Sequence, residues 1–246
     1  MNANIGHTPY RHIALTAALF VWLIALLVSH GQRWLRPASM DQRDGAQVSK
    51  WETLVLGRSP VLGVPSAKFK IIEFSDYQCP FCSIVDPVLA KLVAGHPNDT
   101  VVYRYDMPLQ QIHRYAYAAS IAANCAEQQG VRESYQSLLY QYQREFASIN
   151  WTALAKQSGV VDTDTFAKCV KEEKPREQVL KDIKTANSLG ISGTPSFIIN
   201  GTLYTEGMTE EKLESLYKET TAKQYGILRR LFNYMNINLA QANNRR

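Results

Sequence analysis

Apolar and polar residues follow one another along this chain in several distinct patterns, and each predicts a different element. From Ile13 to Val28 the run IALTAALFVWLIALLV carries no charge and is apolar all round, which predicts a helix surrounded by lipid. It falls slightly short of the roughly 20 residues that span a bilayer. Ser29 to Gly31 and the snorkelling side chains of Arg11 and Arg33 extend it. The same run suits the apolar region of a signal peptide, with Ser29-x-Gly31 as a weak cleavage site. An uncleaved signal anchor is the preferred reading and a cleaved signal the alternative. Further on, Phe69 to Phe74 (FKIIEF) has the length and β-branched content of a buried strand. Ile84, Val85, Val88, Leu89 and Leu92 then recur at helical spacing. Between them stand Ser75 to Gln78 and Cys79-Pro80-Phe81-Cys82. The two cysteines therefore fall at a strand-to-helix junction, with Pro80 at the first helical position.

From Pro108 to Gly190 the pattern is helical and rich in Ala, Gln and Leu. Ala116, Ala119, Ser120 and Ala123 form a small-residue stripe, with Tyr115, Tyr135, Leu138, Leu139 and Tyr142 as bulkier packers. Phe166, Val170, Val179 and Ile183 continue the apolar positions, and Asp162 to Thr165 reads as a helix cap. His113, at the start of this region, reads as a packing residue. Asn200-Gly201 marks a tight hairpin between two strands, and Pro195 just precedes the first, where it removes no ladder bond. Ile227, Leu228, Leu231, Phe232 and Met235 share one helical face near the C-terminus. That face predicts a helix docked on the domain, with a partner- or membrane-contact helix as the alternative.

Composition narrows the classes. Lys and Arg number 27 and Asp and Glu 22, a net charge of +5. No basic run exceeds two residues, so the stripe expected of a nucleic-acid binder is missing. Hydrophobic residues at 46% and charged residues at 20% fit a globular chain. Ser29 to Ala67 mixes polar residues with Pro37, Pro60, Pro65, Gly45, Gly57 and Gly63 and reads as a tether. Within it Trp51 to Leu56 predicts a short strand or helix packed on the domain. Arg33, Arg36 and Arg43 follow the apolar run and only Arg11 precedes it, a bias that favours a cytoplasmic main body. The cysteine chemistry argues for the opposite side, and the charge difference is small enough for the chemistry to decide.

That chemistry starts from position. The free amides and positive dipole end of a helix stabilise a thiolate at Cys79. Cys82 lies one turn further on the same face, within disulfide reach. Zinc would call for about four ligands, but there is no second Cys-x-x-Cys, and Cys125 and Cys169 stand alone. A redox dithiol is preferred over a metal site or inert cysteines.

Glu-Phe-Ser-Asp-Tyr-Gln-Cys-Pro-Phe-Cys, followed far downstream by Gly-Thr-Pro-Ser-Phe, resembles the DsbA-like branch of the thioredoxin superfamily over about Leu56 to Tyr217. The resemblance implies an α/β thioredoxin fold with an inserted helical subdomain. Pro195 would be a cis-proline packed against the dithiol, and Thr194 would offer backbone groups to a bound peptide beside Pro80 and Phe81. Cys79 would be the exposed nucleophile and Cys82 the buried resolving thiol. Glu73 would be the buried acid beneath them, against the alternative of an ordinary edge glutamate. Cys125 and Cys169 would form a structural disulfide, against the alternative of two buried free thiols. The implied organisation is a signal anchor over 1–31, a tether over 32–67, the thioredoxin domain over 68–218 with its insertion at about 108–190, and a C-terminal helix and tail over 219–246. The implied activity is thiol:disulfide exchange without cofactor or metal, outside the cytosol at the bacterial inner membrane, or soluble in the periplasm if the signal is cleaved. Partners would be cysteine-containing proteins and a membrane redox partner, either a quinone-linked oxidase or a reductase. A reductase or isomerase and a tethered binding module are the rival readings.

Overall fold

The computed structural model describes residues 22, 44–205, 207–223 and 226. The expected anchor, Trp22 apart, the first part of the tether and the apolar face from Ile227 to Met235 lie outside the described residues. Among the described residues no helix is long and apolar enough to cross a membrane.

A five-stranded mixed sheet carries the structure. Its strands are β1 (Leu62–Gly63), β2 (Phe69–Ser75), β3 (Thr100–Asp106), β4 (Ser196–Ile199) and β5 (Thr202–Tyr204), in spatial order β1-β3-β2-β4-β5. β2 and β3 run parallel, joined by helix α1 (Pro80–Gly95), and all other pairs are antiparallel. Between β3 and β4 come α2 (Ala116–Glu127), α3 (Arg132–Gln141), α4 (Trp151–Gln157), α5 (Thr163–Cys169) and α6 (Glu173–Ser188). Residues 210–223 form a last helix, α7.

β2 is central and covered on both sides, which is why it reads as an almost unbroken apolar run. Phe69 and Ile71 pack with Val85, Leu89 and Leu92 of α1 and Leu213 of α7. Ile72 and Phe74 pack on the opposite face with Ala186 of α6. The two-residue pleat therefore sends Glu73 and Ser75 to the α1 side, in line with Ile71. Ile84 departs from the expected apolar face of α1. It is 64% exposed, one turn after Phe81, which is 67% exposed. Of the expected positions Val85, Leu89 and Leu92 turn inward, in line with the buried Cys82.

The hairpin forms as its sequence predicts. Asn200 (φ 44°) and Gly201 (φ 90°) both take left-handed backbone, the geometry of a two-residue turn that matches strand twist. A Cβ on Gly201 would sit 2.6 Å from the Trp51 ring. That contact is the packing expected of Trp51 to Leu56, and the docking extends beyond it, over residues 44–67 of the tether. Gly45 and Leu203 exchange backbone bonds with this segment along the open edge of β5: Gly45 N donates to Leu203 O and Leu203 N to Ala46 O, each at 2.8 Å. Trp51–Leu54 makes a 3-10 turn. Arg58 stacks 3.7 Å over the Tyr105 ring and pairs with the buried Asp182. An edge strand needs such cover, since its unpaired amides otherwise invite another chain.

The inserted helices have their own core, in which Tyr135, Leu139, Leu154, Phe166 and the alanines of α2 meet. Asp162 caps α5 by accepting from Thr165 N at 2.8 Å. Cys125 on α2 and Cys169 on α5 are bonded, 44 positions apart in sequence. Closing a loop of that length contributes about 4 kcal/mol by the chain-entropy relation. Replacing both cysteines with alanine should therefore lower the melting temperature on the order of 10 °C and leave Cys79–Cys82 exchange intact. Unchanged melting with lost exchange would show the bond to be functional instead.

Candidate active site

Cys79 is the N-cap of α1 and Pro80 its first residue. The turn before the helix is built by Asp76, which is buried and fully used. Its carboxylate accepts from Gln78 N and Leu109 N, each at 2.7 Å, and faces His113 Nδ1 at 2.8 Å. His113 thus braces the turn, as its packing role predicted. Gln143, from the segment after α3, donates through Nε2 to Tyr77 O at 3.2 Å and Cys79 O at 3.4 Å. Opposite Cys79 runs the loop before β4, where the Thr194–Pro195 peptide is cis. Cys79 Sγ donates to Thr194 O at 3.3 Å.

These neighbours correct one expectation. Cys79 is 4% exposed rather than open to solvent, because the Thr194 loop lies across its sulfur. Cys82 is still more enclosed, at 0%. Both are free thiols here. Pro80 and Phe81 stand exposed beside them.

The two thiols are treated in opposite ways. Cys79 is pushed down to about 6, first by a hydrogen bond from the Cys82 thiol, against its burial, then by Thr194 and the amides of Cys82 and Phe81. Those amides are the unsatisfied donors of the helix N-terminus. Cys82 is pushed well up, by burial first, then by Cys79 and by the charge of Glu73. Alkylation of the reduced protein by iodoacetamide should therefore reach half its plateau rate near pH 6, through Cys79 alone. A midpoint near the free-thiol value of about 8.5 would contradict the helix-end account. The sign for stability follows: the depressed pKa of Cys79 stabilises the reduced fold above the unfolded thiol pKa, and that contribution is lost as pH falls through about 6.

Glu73 is fully buried, so the edge-glutamate alternative does not hold. Strand register sets it opposite Arg104, also buried, and Arg104 Nε and Nη2 both donate to Glu73 Oε2. Arg104 Nη2 reaches Asp86 Oδ1 on α1 at 3.1 Å, and Gln136 of α3 donates to the same oxygen. Burial still pushes the Glu73 carboxyl up, against the pull of Arg104. Beside it, Ser75 Oγ and Tyr140 Oη lie 2.7 Å apart. The sequence alone singles out none of Ser75, Asp76, Asp86, Arg104, Gln136, Tyr140 and Gln143 for the site. Arg104 carried a usable signal: one cation in the apolar strand VVYRYD, where FKIIEF carries one anion. Gln143 carried none. Among the described residues no group of three or more His, Cys, Asp or Glu side chains is placed to hold a metal.

Known proteins similar to this chain include two kinds. The Na(+)/H(+) antiporter NhaA 3 of Salinispora tropica is 28% identical over 144 residues, 58% of this chain and 22% of the antiporter. The chain thus spans under a quarter of that relative's length. The probable disulfide bond formation protein D of Bacillus cereus is 26% identical over 153 residues, covering 58% of this chain and 70% of that protein. Among solved structures, the thiol-disulfide exchange protein alpha-DsbA2 of Wolbachia pipientis has a TM-score of 0.58 at 18% identity. The likeness takes in 69% of this chain and 90% of that one, and it is one of fold. The sequence profile of the thioredoxin family matches residues 56–219. That span runs from the docked N-terminal segment into α7 and takes in most of the chain, so the chain belongs to the thioredoxin family.

Proposed function

We propose that this protein is a thiol:disulfide oxidoreductase that acts on cysteine-containing proteins outside the cytosol through Cys79 and Cys82. The observation that carries the reading is the opposite treatment of the two thiols: Cys79 held as a thiolate at a helix N-terminus, Cys82 kept protonated in the interior. In the oxidase direction a substrate thiolate attacks Cys79 Sγ of the Cys79–Cys82 disulfide. A substrate–Cys79 bond forms, the Cys79–Cys82 bond breaks, and Cys82 leaves as the thiolate. The substrate's second thiol then displaces Cys79, carrying the disulfide away. A lowered Cys79 pKa stabilises the dithiol and so makes the disulfide a better oxidant, which supports oxidase over reductase. Thr194 and Pro195, opposite the sulfur, and the exposed Phe81 would meet the substrate chain. Reoxidation would fall to a quinone-linked membrane partner.

The uncharged run from Ile13 to Val28 supports delivery across the membrane, with anchoring if it is retained. The test mixes the oxidised protein with a reduced, unfolded protein containing two cysteines. Stoichiometric appearance of the substrate disulfide is expected. Faster reduction of insulin, or unscrambling of a mispaired substrate, would assign the reductase or isomerase direction instead. No exchange in any assay would leave the binding-module reading.

A further inference from the structure

We propose that Gln143 is a positioning residue for Cys79: its side-chain amide holds the backbone carbonyls of Tyr77 and Cys79 and so keeps the head of α1 aimed at the Cys79 sulfur. The inference rests on the oxidoreductase reading above and brings to it a residue from the inserted segment. The contact is one amide group against two backbone oxygens. Gln143 Nε2 lies 3.2 Å from Tyr77 O and 3.4 Å from Cys79 O. Both partners can only accept, and the glutamine NH2 has two hydrogens, one for each. That decides which end of the amide faces the turn. Neither carbonyl is well served without it. Tyr77 is 1% exposed, and its carbonyl has no other hydrogen bond among the described residues. The Cys79 carbonyl otherwise accepts only Ser83 N, at 3.3 Å.

The peptide that Gln143 reaches has no other handle. The chain passes from Cys79 into α1 through Pro80, which has no N–H. The Cys79 carbonyl is therefore the one hydrogen-bonding group on that peptide, and through it the exit angle of Cys79 (φ −72°, ψ 121°) is held. The first unpaired amides of α1, those of Phe81 and Cys82, follow directly, and a thiolate on Cys79 gains from them. A swing of the Cys79–Pro80 peptide moves the sulfur relative to those amides and to Thr194 O, which stands 3.3 Å away. The residues before Cys79 are fixed independently. Asp76 accepts from Gln78 N and Leu109 N, and Gln78 Oε1 accepts from Tyr115 N. Among the described residues Gln143 is the one side chain bonded to the Cys79 backbone. The inserted helices thus do more than cover the dithiol: through Gln143 they set how strongly the helix end favours the thiolate.

The experiment substitutes Gln143 and reads Cys79. Gln143→Met is close in length and volume and has no donor, so it frees both carbonyls. In the reduced protein the pH midpoint of Cys79 alkylation by iodoacetamide should rise by about one pH unit from its wild-type value of about 6. The equilibrium of reduced protein and glutathione disulfide with oxidised protein and two reduced glutathiones reads the same change. At pH 7 the Cys79–Cys82 disulfide should become about fivefold harder to reduce. Gln143→Glu keeps the length but turns an anion on the carbonyls, and should raise the midpoint at least as far. Gln143→Lys donates to them again and should return the midpoint to the wild-type value or below. The Cys82 thiol, the titratable neighbour of Cys79, is the same in every variant. A residue that only stiffened the fold would lower the melting temperature in all three and leave the midpoint in place. An unchanged midpoint and glutathione equilibrium in folded Gln143→Met would overturn the proposal. So would a midpoint in Gln143→Lys as high as that in Gln143→Met. Should Gln143→Met not fold, Gln143→Asn, which keeps the amide but falls one methylene short of the carbonyls, decides by the same two readings. Alkylation needs no protein substrate, so the two claims fail separately. A wild type inert in every exchange assay would remove the oxidoreductase reading, and with it any part for Gln143 in exchange, whatever the midpoints.

Discussion

Replacing Cys82 with alanine turns the protein into a trap: mixed disulfides between Cys79 and its substrates accumulate, whereas Cys79→Ala forms none. The asymmetry follows from the head of α1. With its pKa near 6, Cys79 is roughly ten parts thiolate to one part thiol at pH 7, and its sulfur lies directly against the Thr194 loop. Cys82 is enclosed and protonated, so no external sulfur reaches it. Once a substrate is bonded to Cys79, the fastest release is attack by Cys82 from one helical turn away. Well-oriented intramolecular attack is worth an effective concentration of about 10⁵ M or more. Without Cys82 the adduct waits for a dilute external thiol, and its lifetime rises by several orders of magnitude. Non-reducing electrophoresis of cells carrying each variant reads this directly. Adducts on Cys79→Ala but not on Cys82→Ala would reverse the roles. Adducts on neither, with both proteins expressed, would favour a non-enzymatic tethered module.

The parts of this site that are local in sequence were legible, and the parts made by tertiary packing were not. Cys79-Pro80-Phe81-Cys82 at a strand-to-helix junction, and Asn200-Gly201 between two strands, announce themselves because a proline at N1 and a left-handed turn have narrow residue requirements. Phe69 to Phe74 reads as a buried strand for the same local reason. Ile84 falls outside the buried face because helical spacing gives a stripe but not its width: the buried stripe of α1 runs through Cys82, Val85, Leu89 and Leu92, and Phe81 and Ile84 stand exposed. Beyond Trp51 to Leu56, the docking of the segment from Asp44 to Ala67 is not legible, because proline and glycine mark irregular backbone without saying whether it is bound. Its attachments include backbone bonds to β5, the pairing of β1 with β3, and Arg58, which reaches Asp182 across 124 positions. Gln143 and Tyr140 were invisible because each reaches the site from the inserted helices, more than 60 positions from the residue it holds.

Arg104→Leu should destabilise the protein by about 3–5 kcal/mol near neutral pH, because it strands a buried carboxylate rather than removing a pair. Arg104 is enclosed together with Glu73 and spends two of its nitrogens on Glu73 Oε2, one of them also on Asp86. Asp86 keeps partial access to solvent and the amide of Gln136; Glu73 has neither, so the penalty settles on Glu73. Its carboxyl already sits above its ordinary value through burial, with Arg104 pulling the other way. Deleting Arg104 lets it rise further. A carboxyl whose folded pKa lies above its unfolded one costs nothing where both states are protonated, below the unfolded value of about 4.3. The cost grows as pH rises past that value toward the raised folded pKa. The deficit of Arg104→Leu relative to wild type should therefore be small near pH 4 and largest near pH 7. Adding Glu73→Gln should recover more than half of it, since no charge is then left to bury. Urea unfolding of the oxidised proteins across that pH range measures the difference. An equal deficit at both ends, unrelieved by Glu73→Gln, would show that Arg104 stabilises through packing against Tyr140 rather than by holding the Glu73 charge.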